Sequence, residues 1–190
     1  MPRARSDPRS VRAVALVIGS ALAAVLAGTC PGIAQSPDAA TPQVLGCRVT
    51  AYADPPREVL HCADGVEIVA ERAARYELVP APDRRSVTAA RLNAGGLLVT
   101  FPPARRGGFR VITPHAVASV RGTTWAVDVR ATRSSVFVQE GAVTVARTGA
   151  PGAVVLRAGD GVDVEADTAP LRVNRWGRER VLHLLARFGR

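Results

Sequence analysis

The chain has 190 residues, of which 47% are hydrophobic, 22% charged and 4% aromatic, with a mean hydropathy of +0.11. These values exclude a disordered acidic tail, a collagen and a polytopic membrane protein, and they suit a single globular domain. The net charge of +9 is unevenly placed, with +3 over residues 1–12, +5 over residues 172–190 and +1 over all that lies between. A nucleic-acid binder spreads basic side chains over its folded surface, so this distribution argues against a DNA or RNA partner. All 25 basic residues are arginine, which is a bias of the whole composition and gives arginine at any one site no special message.

Arg3 to Arg12 form a positive stretch, Ala13 to Gly28 an uncharged apolar run, and Gly32-Ile33-Ala34 a small-residue cleavage pattern. This is the layout of a secretory signal peptide over residues 1–34, cut between Ala34 and Gln35, with residues 35–42 as a flexible mature N-terminus. The 16-residue run is short for a membrane span, although an uncleaved anchor is a second reading. Only about 12 residues precede it, too few for a folded domain on that side. Cys30 follows a sequence that resembles a lipoprotein box interrupted by Thr29, and on the simpler reading it leaves with the signal.

An exported chain would then keep Cys47 and Cys62, and two cysteines in an oxidising compartment are expected to form a disulfide. A metal site built on His61 and Cys62 is the competing reading, but it lacks further ligands nearby, and neither a metal nor another cofactor is expected.

From Gln43 to about residue 170 the chain alternates apolar and polar residues in short runs. Examples are Tyr76 to Val79, Leu97 to Phe101, Phe109 to Ile112, Trp125 to Val129, Val136 to Val138 and Val143 to Val145. Period two with β-branched enrichment predicts strands, and Asp64-Gly65, Gly95-Gly96, Gly107-Gly108, Glu140-Gly141 and Gly159 predict turns between them. No helical stretch intervenes to cross over a parallel sheet, which leaves a sandwich, a barrel or a solenoid-like stack. Trp125, with Val127 and Val129 on its face, reads as core. Residues 171–190 change period: Asn174 is a candidate N-cap, and Val181, Leu184, Leu185 and Phe188 fall on one stripe that Leu182 widens, so an amphipathic helix is expected. Packed on the β body it caps an open end; exposed, its Arg178 and Arg180 would meet a partner or an anionic membrane.

The segment from Phe109 to Val129 contains Thr113-Pro114, then Arg121-Gly122-Thr123, then the alternating strand around Trp125. It is followed by a strand, Gly141 turn and strand, and by Leu156-Arg157-Ala158-Gly159. This order of motifs over residues 109–164 resembles the core of the FecR domain family. The resemblance implies an all-β, β-solenoid-like stack of short strands over residues 43–170. It also implies a periplasmic or otherwise exported role in relaying the state of an outer-membrane receptor, here without the cytoplasmic anti-sigma region. Physically, Pro114 suits the first position of a strand or an edge, and Gly122 a bend or bulge. Arg121 has two readings: bonding carbonyls at that bend, or presenting a charged fork to a partner.

Enzyme readings fare poorly. His61, His115 and His183 are scattered, and the carboxylate pairs Asp160 with Asp163 and Glu165 with Asp167 read as solvated acids rather than an acid and base. The expected function is therefore binding without catalysis: a signalling module that engages another envelope protein, a receptor or an inner-membrane regulator, through an edge strand or the C-terminal helix. The alternative is a structural module that binds peptidoglycan or another glycan. Membrane contact is expected only through the signal segment or peripherally through the helix.

Overall fold

The computed structural model describes residues 43–167 and 169–190, so the expected signal peptide, its Ala34–Gln35 cleavage site and the segment 35–42 lie outside the described residues. The early strands are β1 (Gln43–Val44), β2 (Cys47–Ala53), β3 (Pro56–Cys62), β4 (Glu67–Glu71), β5 (Arg75–Pro80) and β6 (Val87–Phe101). They are followed by β7 (Phe109–Ile112), β8 (Ala116–Val120), β9 (Thr123–Val129), β10 (Arg133–Glu140) and β11 (Ala142–Arg147). β12 (Ala153–Arg157), β13 (Asp160–Glu165), β14 (Asn174–Arg175) and the helix α1 (Arg178–Ala186) complete the chain. The described residues are thus all-β with one short C-terminal helix.

The strands form one curled sheet in two halves that share the 15-residue β6. In the first half, β6 residues 95–101 pair with β9, and further pairings extend the half through β4, β3 and β2 on one side and through β10 and β13 on the other. In the second half, residues 87–94 of β6 pair with β5 and residues 89–91 with β7, which leads on to β8, β11 and β12. The apolar inner faces of both halves meet in one core that contains Leu60, Ile68, Leu97, Phe109, Trp125, Val136 and Leu156. Trp125 is fully buried there, edge-on to Phe109 at 6.1 Å between ring centroids.

The solenoid expectation needs correction. Stacked solenoid coils pair their strands in parallel, whereas among the described strand pairs only β6 with β7 is parallel. Successive hairpins instead alternate between the halves: β7 and β8 in the second, β9 and β10 in the first, β11 and β12 in the second, β13 in the first. Short strands between regularly spaced glycines therefore encode a chain that crosses repeatedly between two facing layers.

The glycines mark those crossings. Gly122 (φ 65°) lies between β8 and β9, and a Cβ there would stand 2.8 Å from Pro103 Cβ. Gly141 (φ 84°) lies between β10 and β11, and a Cβ there would collide with the Gly122 carbonyl oxygen. Both positions need the left-handed backbone and the missing side chain together. Gly95-Gly96 is not a turn between strands, as alternation suggested, but the point inside β6 where the strand passes from one half to the other.

Candidate interaction surfaces

The threonines of the motif work as internal fasteners. Thr113 Oγ1 accepts from the Ala116 backbone N–H at 2.8 Å and donates to the Ala116 carbonyl at 2.9 Å, closing the turn from β7 to β8. Ser134, wholly buried on β10, donates to Thr113 Oγ1 at 2.8 Å, and His115 Nδ1 lies 3.0 Å from the Ser134 hydroxyl oxygen. With its proton directed to Thr113 and no solvent access, Ser134 is poorly placed as a nucleophile. The sequence reading missed this knot because Ser134 is 21 residues from Thr113. Pro114 stands exposed within the turn, two residues before β8, rather than opening a strand or lying on an edge. Its missing N–H costs nothing at that position.

Thr123 Oγ1 donates to the Ala142 carbonyl at 2.9 Å and accepts from the Ala142 N–H at 3.3 Å, joining the crossing at Gly122 to that at Gly141. Gly159 (φ 86°) makes the next crossing, donating its N–H to the Val138 carbonyl at 2.8 Å. Arg121 sits at the same corner with its side chain exposed, and its guanidinium makes no hydrogen bond or ion pair among the described residues. Its side chain therefore does not bond the carbonyls of the bend.

Cys47 and Cys62 are joined by a disulfide across the β2–β3 ladder, where they are register partners. His61, considered for a metal, lies 3.4 Å from Glu67 instead.

Helix α1 is shorter than expected and begins later. Asn174 belongs to β14, and Gly177 occupies the N-cap position without a side-chain cap. Rather than capping an open end, the helix covers the outer face of the first half. Leu184 and Phe188, with Trp176 ahead of the helix, pack on Val59, Val69, Leu98, Ala126 and Phe137. Leu182 is 54% exposed and lies off that stripe. Gly96 and Gly161 supply the room: a Cβ on Gly96 would stand 2.9 Å from the Phe188 ring, and one on Gly161 would overlap the Trp176 indole.

The basic C-terminus is largely spent inside the molecule. Arg180 bonds both oxygens of Asp163, at 2.9 and 2.6 Å, and lies 3.4 Å from the Trp176 ring centroid. Arg187 bonds both oxygens of Glu71, at 2.7 and 2.6 Å, and Asp128 at 2.6 Å. Arg190 reaches Glu67 at 3.1 Å, and Arg175 lies 3.6 Å from Asp160. Arg178, by contrast, is exposed and has no ion-pair partner among the described residues. The other carboxylate pair is also divided: β13 ends at Glu165, and Asp167 beyond it pairs with Arg147 at 3.3 Å.

The Asp163–Arg180 pair gives stability a pH dependence. Burial pushes the Asp163 carboxyl up, but hydrogen bonds from Arg180 and Ser135 outweigh it and hold the group below its ordinary value. A carboxyl lowered in the folded state contributes stability that is present above its unfolded value, about 4, and lost as the pH falls through the folded one. Asp163→Asn is therefore expected to be less stable than wild type at pH 7, and the two should converge as the pH falls below the value of the carboxyl in the folded protein. Urea midpoints across that range check it, and a constant difference would remove Asp163 as the titrating group.

The outer face of the second half has no covering element among the described residues. On it a shallow groove of about 540 Å³ is lined by Arg110, Ser119, Arg121, Ala142 and Thr144. The strands with free edges on this half are β5 and β12, each paired on one side only. Among the described residues, no helix is long and apolar enough to cross a membrane.

Residues 53–144 match the model of the family described as FecR protein. The match takes in Thr113, Pro114, Arg121 to Thr123, Trp125 and Gly141, begins after Cys47 and stops short of Gly159. Two crystal structures, each described as a candidate anti-sigma factor from Parabacteroides distasonis ATCC 8503, have a similar fold. Each has a TM-score of 0.55 and 15% identity, over 73% and 72% of this chain respectively. This chain covers 64% of each of those chains, under two thirds of their length. The comparison with curated proteins found no match.

Proposed function

We propose that this chain, whose residues 53–144 match the FecR family, is an exported, non-catalytic module of the cell envelope that acts in signalling by binding another protein. The observation that carries this reading is the family match itself, supported by the likeness to the anti-sigma candidates. The Cys47–Cys62 disulfide supports export to an oxidising, periplasmic compartment. The polar groups an enzyme would need are engaged elsewhere: Ser134 is buried, and Asp160, Asp163 and Asp167 each face an arginine. Exposed stacking aromatics would favour the glycan alternative, yet Trp125 is fully buried and Trp176 is 9% exposed.

The test is cross-linking of a C-terminally tagged copy in intact cells, followed by mass spectrometry of the adducts. A discrete receptor or inner-membrane regulator is expected. Adducts that carry wall glycan, with no protein partner, would overturn the signalling reading.

A further inference from the structure

The two outer faces of the curled sheet are finished with opposite charge. That of the first half bears carboxylates, Glu67, Glu71, Asp128 and Asp163, and α1 with its flanking residues covers it with Arg180, Arg187 and Arg190. The face of the second half bears arginines and is bare. Arg110 on β7, Arg121 after β8 and Arg157 on β12 are exposed, and their guanidinium groups have no ion-pair partner among the described residues. Arg91, further along, stands opposite Glu77 in the β5–β6 ladder.

Register sets the geometry of this bare face. Arg110 pairs with Ser119, Ser119 with Thr144, and Thr144 with Val155, while Ala142 pairs with Arg157. Arg110 and Arg157 thus lie on strands three spacings apart, about 14 Å across the sheet, with Arg157 two residues further along its strand than the position opposite Arg110. Between them runs a floor of small side chains, Ser119, Thr144 and Ala142, with Arg121 at one end of it beside Ala142, and next to it Val155, 57% exposed. An α-helix with its side chains is about 10–12 Å across. The floor therefore has the width of one helix and an arginine on each side, and its small residues let a backbone approach closely. Arginine's planar fork bonds carboxylates in pairs, as Arg180 and Arg187 already do on the opposite face.

We infer that the outer face of β7, β8, β11 and β12 is the docking surface for an acidic amphipathic helix of a partner protein. Its aliphatic stripe lies on Ser119, Thr144 and Val155, and its Asp or Glu side chains meet Arg110, Arg121 and Arg157. The contact repeats, with charges exchanged, the way the chain's own helix covers the first half. This inference rests on the reading of the chain as a protein-binding module and adds to it the face and the partner's chemistry.

The test places a photo-cross-linking benzophenone amino acid at Thr144 or at Leu182 of the full chain and irradiates intact cells. From Thr144 the expected adduct is a protein whose cross-linked peptide carries Asp or Glu flanking an aliphatic stripe. Arg110→Glu with Arg157→Glu should cut the yield at least tenfold, since two favourable charge contacts become repulsive. The milder Arg110→Gln with Arg157→Gln should lower it in the same direction. Unchanged melting temperatures show that the variants fold, as expected for exposed residues. An adduct from Leu182 alone would overturn the assigned face while leaving the protein-binding reading intact. A Thr144 adduct to lipid or to a segment without acids, or a yield indifferent to charge reversal, would overturn the assigned chemistry. No protein adduct from either position would overturn both this inference and the reading beneath it.

Discussion

Arg187→Met will lower the stability of the folded chain by about 2–3 kcal/mol and loosen α1 from the sheet. The guanidinium is the joint of a three-member cluster, bonded to Glu71 on β4 and Asp128 on β9. Its side chain is 25% exposed, and those of Glu71 and Asp128 are 14% and 12% exposed. Methionine keeps much of the aliphatic stem's volume, so the loss falls on the charge. Glu71 would remain poorly hydrated and without a counterion beside Asp128, which keeps only the more exposed Arg130 at 3.0 Å. Breaking a fully buried pair costs roughly 3–5 kcal/mol, and the partial exposure here places the effect at the lower end or below. The measurement is the urea midpoint together with the emission of Trp176, which is stacked on Phe137 at 5.3 Å under the helix-bearing segment. Adding Glu71→Gln to Arg187→Met should restore part of the loss, because it removes the stranded charge. A change below about 0.5 kcal/mol, within the range of ordinary surface substitutions, would mean that Leu184 and Phe188 hold the helix without help from the ions.

That cluster also shows where sequence reading stops. The helix stripe was legible because Val181, Leu184, Leu185 and Phe188 repeat at helical spacing, and all four pack on the sheet, Leu184 and Phe188 buried and Val181 and Leu185 partly so. The target of the stripe was not legible. Glu71 and Arg187 are 116 residues apart, and a charge run gives no sign of whether its partners are solvent, another protein or the chain's own carboxylates. Alternation exposed most strands, since a sheet with one apolar face must repeat with period two. It named the turn glycines correctly at Gly141 and Gly159 and failed at Gly95-Gly96, because a bend within a long strand and a turn between short ones ask for the same residue. The strand β8 was disguised by its alanines, whose small apolar side chains give weak contrast. The bare arginine face could not be read at all, since Arg110, Arg121 and Arg157 are brought together only by the alternation of hairpins between the halves.

Reducing the disulfide, or replacing Cys47 by serine, will cost the protein about 3 kcal/mol, the value the chain-entropy model gives for a closed loop of about 15 residues. The bond has a particular place to act. β2 is held along its length by β3 alone, because β1 spans two residues and pairs only with Cys47 and Arg48. Residues 51–53 at its far end are exposed. Without the bridge the strand has little besides its β3 ladder to keep it in place, so loss of hydrogen-exchange protection should concentrate in β2 and spare β9 and β10 in the interior. Cys47 is wholly buried, and a serine hydroxyl there adds its own cost if left unbonded. Cys47→Ala with Cys62→Ala separates the two effects: it removes the cross-link without burying a hydroxyl, and it should be more stable than Cys47→Ser alone. Dithiothreitol should lower the wild-type midpoint and leave both variants unmoved. Wild-type protein that shows two free thiols before reduction, or that ignores the reductant, would remove the disulfide from the account of stability and with it one support for an oxidising compartment.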